Sequence, residues 1–432
     1  MNNLAYINFP EYLKMLVGLQ DDSQGSFFFK TCIDTTYNWD NGPVKDFLYN
    51  DNRIVIRIHS LLHFIAFGSY FVHALFSCFF SFIGLFFIYR AFREYFQGKE
   101  KVFFLILCLF PTLWLYTGGL LKEGLTILFL GLILFSLKKL LQERIQIKNI
   151  LLFIPLLFIS LLLKPYILFY ALLFFGLFQL ISRTSLKFKS LIFIGSLIST
   201  VILVNFAAIA IKKKSLLQAA YQREKEFMDL STGGIFLLDS VKFVRVPYDT
   251  NLVERVFNKP DSYRIKKGVH YTYWEHTHQQ DTLYCAYNTN SASTYSLVYI
   301  LPKAGSTINV IQGSSNFPVI IARSFYYTML HPFFYNAKSA MQLFASFENL
   351  FLIVCVIISF IGLLISKSEK LPAIAFILFG ISLFIMIGIS TPNSGAIMRY
   401  RSPAAVFIII SALYFIPLKK LSAGFLKKHA GQ

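Results

Sequence analysis

The chain has 432 residues, 56% of them hydrophobic and only 15% charged, with 48 phenylalanines and a formal net charge of +19. A soluble domain carries about 25% charged residues, and the apolar runs here reach the length of a bilayer crossing, which excludes a soluble enzyme. Much of the positive charge sits in short loops and the C-terminal tail, where it reads as an orientation signal and as contact with anionic lipid, so no nucleic-acid partner is expected.

The expected fold class is an all-α polytopic membrane protein with about nine transmembrane helices and one large extracytoplasmic loop region. Residues 1–67 come first, as an extracytoplasmic N-terminal region. Residues 1–53 are polar and aromatic, without a basic n-region and apolar h-region, so no signal peptide is expected. Either the first span translocates this region, or an upstream helix is missing from the sequence. Arg53, Arg57, His59 and His63 alternate with apolar residues ahead of the first span, which suits a helix lying in the outer interface. Cys32 and Cys285 fall in polar segments, whereas Cys78, Cys108 and Cys355 lie inside apolar runs.

Spans are expected at about 68–89, 102–119, 121–140, 149–163, 166–182, 190–211, 346–366, 371–390 and 402–417. The first six form one bundle over 68–211, and the last three form a second over 346–417. Lys164-Pro165 separates the fourth and fifth spans, which together cover about 34 residues, too many for one crossing. A helical hairpin is expected there, with a single helix broken at a cavity as the alternative. Alternate gaps carry Arg90, Arg93, Lys99 and Lys101, then Lys138, Lys139, Arg144 and Lys148, then Arg183, Lys187 and Lys189, then Lys367 and Lys370. The positive-inside rule makes these gaps and the basic tail, 418–432, cytoplasmic. The N-terminus, the region 212–345 and the loop at 391–401 then lie outside, with Lys212 to Lys214 as the one conflict. Within 212–345, residues 216–229 read as a helix, residues 283–301 as strands or irregular loop, and residues 317–345 as amphipathic. The expected location is the bacterial inner (plasma) membrane, multi-pass, with the N-terminus outside and the C-terminus in the cytoplasm.

Charges outside the basic gaps mark the candidate site. A helix is expected to end near Gly118-Gly119, and the next to open with Lys122 and Glu123, where helix-start amides and a lysine suit an anion such as phosphate. The bland alternative is a tight turn whose charges snorkel or pair. Lys164 interrupts a long apolar stretch, either as a ligand contact or as an interfacial anchor. Arg399 and Arg401 precede the last span; on a helix they point apart, but in an extended approach they could clamp one phosphate or carboxylate. Asp34, Asp40, Asp46 and Asp51 lie in the N-terminal region and Glu348 at the start of the seventh span, where a carboxylate could serve as general base for a sugar hydroxyl. Glu275, His276 and His278 lack a third spaced ligand, so no metal site is expected. No cofactor is expected either, and no motif indicates a divalent cation.

The run Phe110-Pro111-Thr112-Leu113-Trp114, with Gly118-Gly119 and Lys122-Glu123 after it and then Lys164-Pro165-Tyr166, resembles a poorly characterised group of bacterial polytopic proteins of surface-polysaccharide assembly. Phe347-Glu348 and Arg399-Tyr400-Arg401 match two further motifs of that group, while the stretch from His331 to Ala337 departs from it at its Arg, Trp and Glu positions. More loosely, the chain is similar to GT-C glycosyltransferases and polysaccharide polymerases. The resemblance implies a membrane enzyme that transfers or polymerises glycosyl units on polyprenyl-phosphate-linked glycans at the extracytoplasmic face. It implies Asp34 or Asp40 as the catalytic acid by position in the first outer loop. Glu123 and Glu348 are further catalytic candidates, and Lys122, Lys164, Arg399 and Arg401 are the expected phosphate contacts. The partners implied are the polyprenyl-linked glycan, membrane lipid and other polysaccharide-assembly proteins. A transporter or flippase of lipid-linked or anionic cargo is the alternative, and a non-catalytic envelope scaffold is a third reading.

Overall fold

All nine expected spans are helical, because long apolar runs in lipid satisfy their backbone groups only within a helix. The computed structural model describes residues 2–23, 25–33, 51–142, 146–212, 215–220, 234–238, 242–246, 250–259, 262–276, 281–287, 294–301, 316–337, 339–391 and 393–417. Asp34, Asp40, Asp46, His278 and the basic tail lie outside them.

The N-terminal helices are α1 (Asn2–Ile7), α2 (Phe9–Val17) and α3 (Asp51–Ala66). The membrane helices begin with α4 (Tyr70–Phe92), α5 (Glu100–Leu109), α6 (Pro111–Thr117) and α7 (Lys122–Gln142). They continue with α8 (Ile147–Leu163), α9 (Pro165–Ser182) and α10 (Lys189–Lys212). After a sheet come α11 (Phe317–Met329), α12 (Ala340–Ile365), α13 (Leu371–Ser390) and α14 (Ser394–Phe415). Among the described residues, seven helices are long and apolar enough to cross a membrane, and the bent pair α5–α6 makes eight. The chain is a multi-pass helical membrane protein.

Three boundaries differ from the sequence reading. The second span is broken at Phe110-Pro111 and bends by 51°, since proline removes a backbone donor and pushes its predecessor out of the helical region. α12 starts at Ala340 rather than near residue 346, because Ser339 Oγ accepts from Gln342 N (3.3 Å) and caps the helix early. α14 starts at Ser394 rather than near residue 402, because Asn393 Oδ1 accepts from Ala396 N (3.2 Å) and caps the helix early. Between α8 and α9 the chain turns back as a hairpin: Phe153 and Leu157 of α8 and Leu168 and Leu172 of α9 share one cluster around Ile133 of α7.

Close packing of α4 on α7 fixes the start of α7. A Cβ on Gly84 would overlap the backbone at Ile127, and one on Gly131 would overlap Gly84 itself. Small residues at such a crossing let two membrane helices touch along their backbones. Farther from the start of α7, Phe92, Phe175, Phe376, Phe379 and Phe407 interlock, with Phe379 and Phe407 ring centroids 4.7 Å apart at 73°. Cations of the expected basic gaps also cap helices. Lys99 Nζ donates to Leu413 O (3.0 Å) and Tyr414 O (2.8 Å), and Lys138 Nζ to Ala91 O (2.9 Å), so cations meet the carbonyl ends of α14 and α4.

The chain divides into two compact units, residues 1–68 with 222–309 and residues 69–221 with 310–432. The region read as a loop thus carries more order than expected. Its strands are β1 (Gly234–Leu238), β2 (Lys242–Val246), β3 (Val253–Arg255), β4 (Ser262–Ile265), β5 (His270–His276), β6 (Asp281–Tyr287) and β7 (Thr294–Leu301). They form one antiparallel sheet of order β3-β4-β7-β1-β2-β5-β6. Leu237 lies opposite Val244 on one side and Leu297 on the other, and the buried residues Val246, Ile265 and Tyr295 complete the cluster. Residues 216–220 are helical, and the rest of the expected 216–229 helix lies outside the described residues.

Gly131→Val is expected to destabilise the protein by about 1–3 kcal/mol through overpacking at the α4–α7 crossing. The same change at Gly176, where a Cβ would meet nothing within 4 Å, should be close to neutral. Thermal unfolding of the purified variants in detergent measures both.

Candidate functional site

Five helices and the α8–α9 corner bring their polar residues to one end of the bundle. Glu123 lies in the first turn of α7, is 0% exposed, and takes both Lys164 Nζ (2.9 Å) and Arg399 Nε (2.7 Å) on its Oε1. Its Oε2 has no hydrogen-bond partner among the described residues. Lys164 is the single residue between α8 and α9, held out of the helix at φ −142° and ψ 81° because Pro165 follows. It is 6% exposed, and its ammonium lies 4.4 Å from the centre of the Tyr400 ring. Arg399 is more open, with its side chain 26% exposed, and also approaches that ring, at 5.4 Å. One carboxylate, two cations and an aromatic face thus join α7, the α8–α9 corner and α14. The three charged groups sum to +1, a polarity that suits an anion.

A second hub adjoins it on α14. Arg401 is 0% exposed; its Nη1 donates to Thr328 O, its Nη2 donates to Asn349 Oδ1, and Glu348 lies 3.5 Å away. Glu348 Oε2 in turn accepts from Thr112 N (3.1 Å) and from Thr112 Oγ1. Glu348 therefore caps the start of α6 just past the Phe110-Pro111 break, where backbone donors lack intrahelical partners. Asn349 Nδ2 and Ser346 Oγ both donate to Pro332 O, at 2.9 and 3.1 Å. Half-buried Tyr116 lies within electrostatic reach of both hubs, facing Arg401 and Glu348 as well as Arg399 and Glu123.

The expected clamp of Arg399 and Arg401 on one ligand is not formed. Both residues lie inside α14, where positions i and i+2 diverge by about 200°, and each arginine takes its own carboxylate. Glu348 lies more than two turns inside α12, not at its start, and is committed to Arg401 and Thr112. Glu123 is likewise enclosed and shared by two cations, so both acids are engaged with positive groups. Lys122 opens α7, half-buried, about 100° round the helix from Glu123. Asp34 and Asp40 lie outside the described residues, and Asp51 begins α3. Among the described residues no cluster of His, Cys, Asp and Glu could hold a metal ion.

Sequence reasoning missed Thr328 and Asn349. Asn349 had a signal, since it extends a polar pair with Glu348 inside an apolar helix. Thr328 had none, because it contributes a backbone carbonyl. A small, partly open cleft of about 20 Å³ lies beside Lys164 between α7, α8 and α9, lined by Phe129, Leu130, Ile133, Ile167 and Leu168 with the hydroxyl-bearing Thr126 and Ser160.

No protein-family model, no curated protein and no solved structure matches the chain.

Removing Glu123 leaves two cations near the membrane interior without their carboxylate. Glu123→Ala is expected to cost about 3–5 kcal/mol, as breaking a buried pair does. Combined with Lys164→Ala the loss should be smaller than the sum of the single losses, which a double-mutant cycle on unfolding measures. A second expectation concerns His331, which lies between α11 and α12. Burial pushes its imidazole below the usual 6.5, so folding favours the neutral form. Its contribution to stability is full above about pH 6.5 and is lost as the pH falls below that. Unfolding midpoints between pH 7 and pH 5 should fall less steeply in His331→Gln.

Proposed function

We propose that the protein is a membrane enzyme of cell-surface polysaccharide assembly that transfers or polymerises glycosyl units carried on polyprenyl phosphate. The bacterial inner membrane is its proposed location, with the two charged hubs at the extracytoplasmic face. The observation that carries this reading is convergence. Thr112, Glu123, Lys164, Glu348, Arg399 and Arg401 come from separate motifs of the polysaccharide-assembly resemblance, and hydrogen bonds and ion pairs link them within two adjoining hubs. Charges at this depth are costly and are retained where they act on a ligand or an ion.

In this reading Lys164 and Arg399 contact the phosphate or pyrophosphate of the lipid-linked donor, with Lys122 at the rim. Such cations stabilise the charge that develops on a leaving phosphate. Glu123 holds both cations in place before the ligand arrives. Glu348 and Arg401 brace α6, α11 and α12 around them. Asp34 and Asp40 are the candidates for the base that activates the acceptor hydroxyl. The basic gaps support the orientation, since Lys99 and Lys138 belong to the opposite end of the bundle.

Transport of lipid-linked or anionic cargo is a second reading, favoured by the helix breaks at Phe110-Pro111 and at Lys164, because interrupted helices line the cargo sites of many transporters.

Lys164→Ala and Arg399→Ala should each lower glycan assembly at least about ten-fold, the loss expected when a charged hydrogen bond of about 1.5–3 kcal/mol is removed from a bound phosphate. Arg399→Lys should retain part of the activity, and all three should reach the membrane at normal levels. Wild-type assembly in both alanine variants would sink the phosphate role. Cargo movement by purified protein in liposomes without donor turnover would favour transport.

A further inference from the structure

We propose that the N-terminal helices α1–α3 are a lipid-embedded element, with one uncharged face sunk into the headgroup–acyl boundary of a phospholipid bilayer.

The helices pack on each other by one side only. Leu4, Tyr12, Met15, Phe28 and Cys32 are buried together, with Ile56 of α3 against them. The opposite side of α2 stays open: Phe9, Leu13 and Val17, four residues apart, are all exposed. That spacing makes one stripe along a helix. On α3 the exposed residues are Leu61, Phe64 and Ile65, followed by Phe67, which is 91% exposed. Phe64 ties α3 to the other two helices, since its ring lies 6.1 Å from the exposed Tyr6 of α1 and 5.8 Å from the buried Tyr12 of α2. An apolar face of this kind, spread over three helices, marks an interaction surface.

The cations of α3 are turned to other work. Arg53 pairs with Asp22 at 2.7 Å, and Arg57 Nε donates to Met15 O at 2.8 Å, capping α2. The sequence places these arginines on a helix lying in the outer interface; the structure uses both of them to hold the helices together with the apolar side outward. Lys14, beside the stripe, is paired with Glu11 at 2.6 Å. The face therefore suits insertion of apolar side chains, not attraction to charge.

Chain continuity identifies the occupant. Only Phe67, Gly68 and Ser69 separate α3 from α4, the first membrane span. Four residue steps reach at most about 14 Å, so the exposed end of α3 lies within that distance of the bilayer boundary. At the start of α4, Tyr70, Phe71 and Leu75 are exposed in the same way. Amphipathic helices rich in aromatic and branched apolar residues settle in this boundary layer.

The test uses the wild-type chain, so no variant has to fold. The protein is reconstituted in phosphatidylcholine bilayers containing a phosphatidylcholine with a photoactivatable diazirine in its acyl chain, and the cross-linked peptides are mapped by mass spectrometry. Parallel samples undergo hydroxyl-radical footprinting. Residues 6–19 and 61–67 should take up lipid at levels within about three-fold of residues 71–82 of α4, and Leu13, Val17 and Phe67 should resist oxidation. Peptides of the enclosed helix α14 are the negative control. Strong oxidation without lipid labelling would place the face in water and overturn the proposal. Low signal in both experiments would mean that protein covers the face, which overturns it equally.

Discussion

A charge cannot stand alone in a low-dielectric interior, and this constraint organises the membrane half of the protein. Glu123 near the start of α7, Lys164 at the α8–α9 corner and Arg399 on α14 are each expensive in isolation. Together they neutralise most of one another's charge, but only if the three elements meet. The same logic binds Arg401 to Glu348, and through Asn349 and Thr328 to α12 and α11. Tertiary contacts that apolar residues would leave loosely specified in lipid are thereby fixed in position. Gly84 and Gly131 set how closely α4 and α7 approach, and the ion pairs set which helix ends come together.

The membrane helices were legible in the sequence because their signal is local: an apolar run of sufficient length has few other outcomes. The misjudged ends share a cause. Hydropathy places a boundary where charge appears, yet Arg399 and Arg401 sit inside α14, because Asn393 caps the helix earlier and buried partners receive the arginines. The break at Phe110-Pro111 was spelled out by the proline, but its pairing with Glu348 was not, since that contact spans most of the chain. Most of the sheet escaped for a different reason, only 283–301, the region of β6 and β7, having read as possible strand. Its strands are short, down to the three residues of β3, and much of the pattern that makes them strands lies in cross-strand partners such as Leu237 with Val244 and Leu297.

The candidate site was legible as a set of residues but not as an arrangement. Charges that departed from the alternating basic gaps proved to be the ones that meet, namely Glu123 with Lys164 and Arg399 and, in the adjoining hub, Arg401 with Glu348. Their division into two hubs could not be read, because the side a residue faces depends on where its helix begins. That division changes the roles. Two acids that look like bases in sequence are enclosed by their own cations, which shifts attention to the cations as the groups a phosphate would meet.

The pairing of β1 carries a consequence for biogenesis. β1 is flanked by β2, which follows at once, and by β7, the last strand to be synthesised. Gly234 must therefore wait for Leu301 before the centre of the sheet can close. Throughout that interval the sheet exists only as two pieces, the β3-β4 hairpin and the four strands β1-β2-β5-β6, each with open hydrogen-bonding edges, a state in which strands are prone to pair with the wrong neighbour. The membrane helices up to α10 are already made by then, while α11 to α14, which carry Arg399 and Arg401, are still to come. Glu123 and Lys164 are thus synthesised long before Arg399, and the three-element hub is among the last features of the protein to assemble.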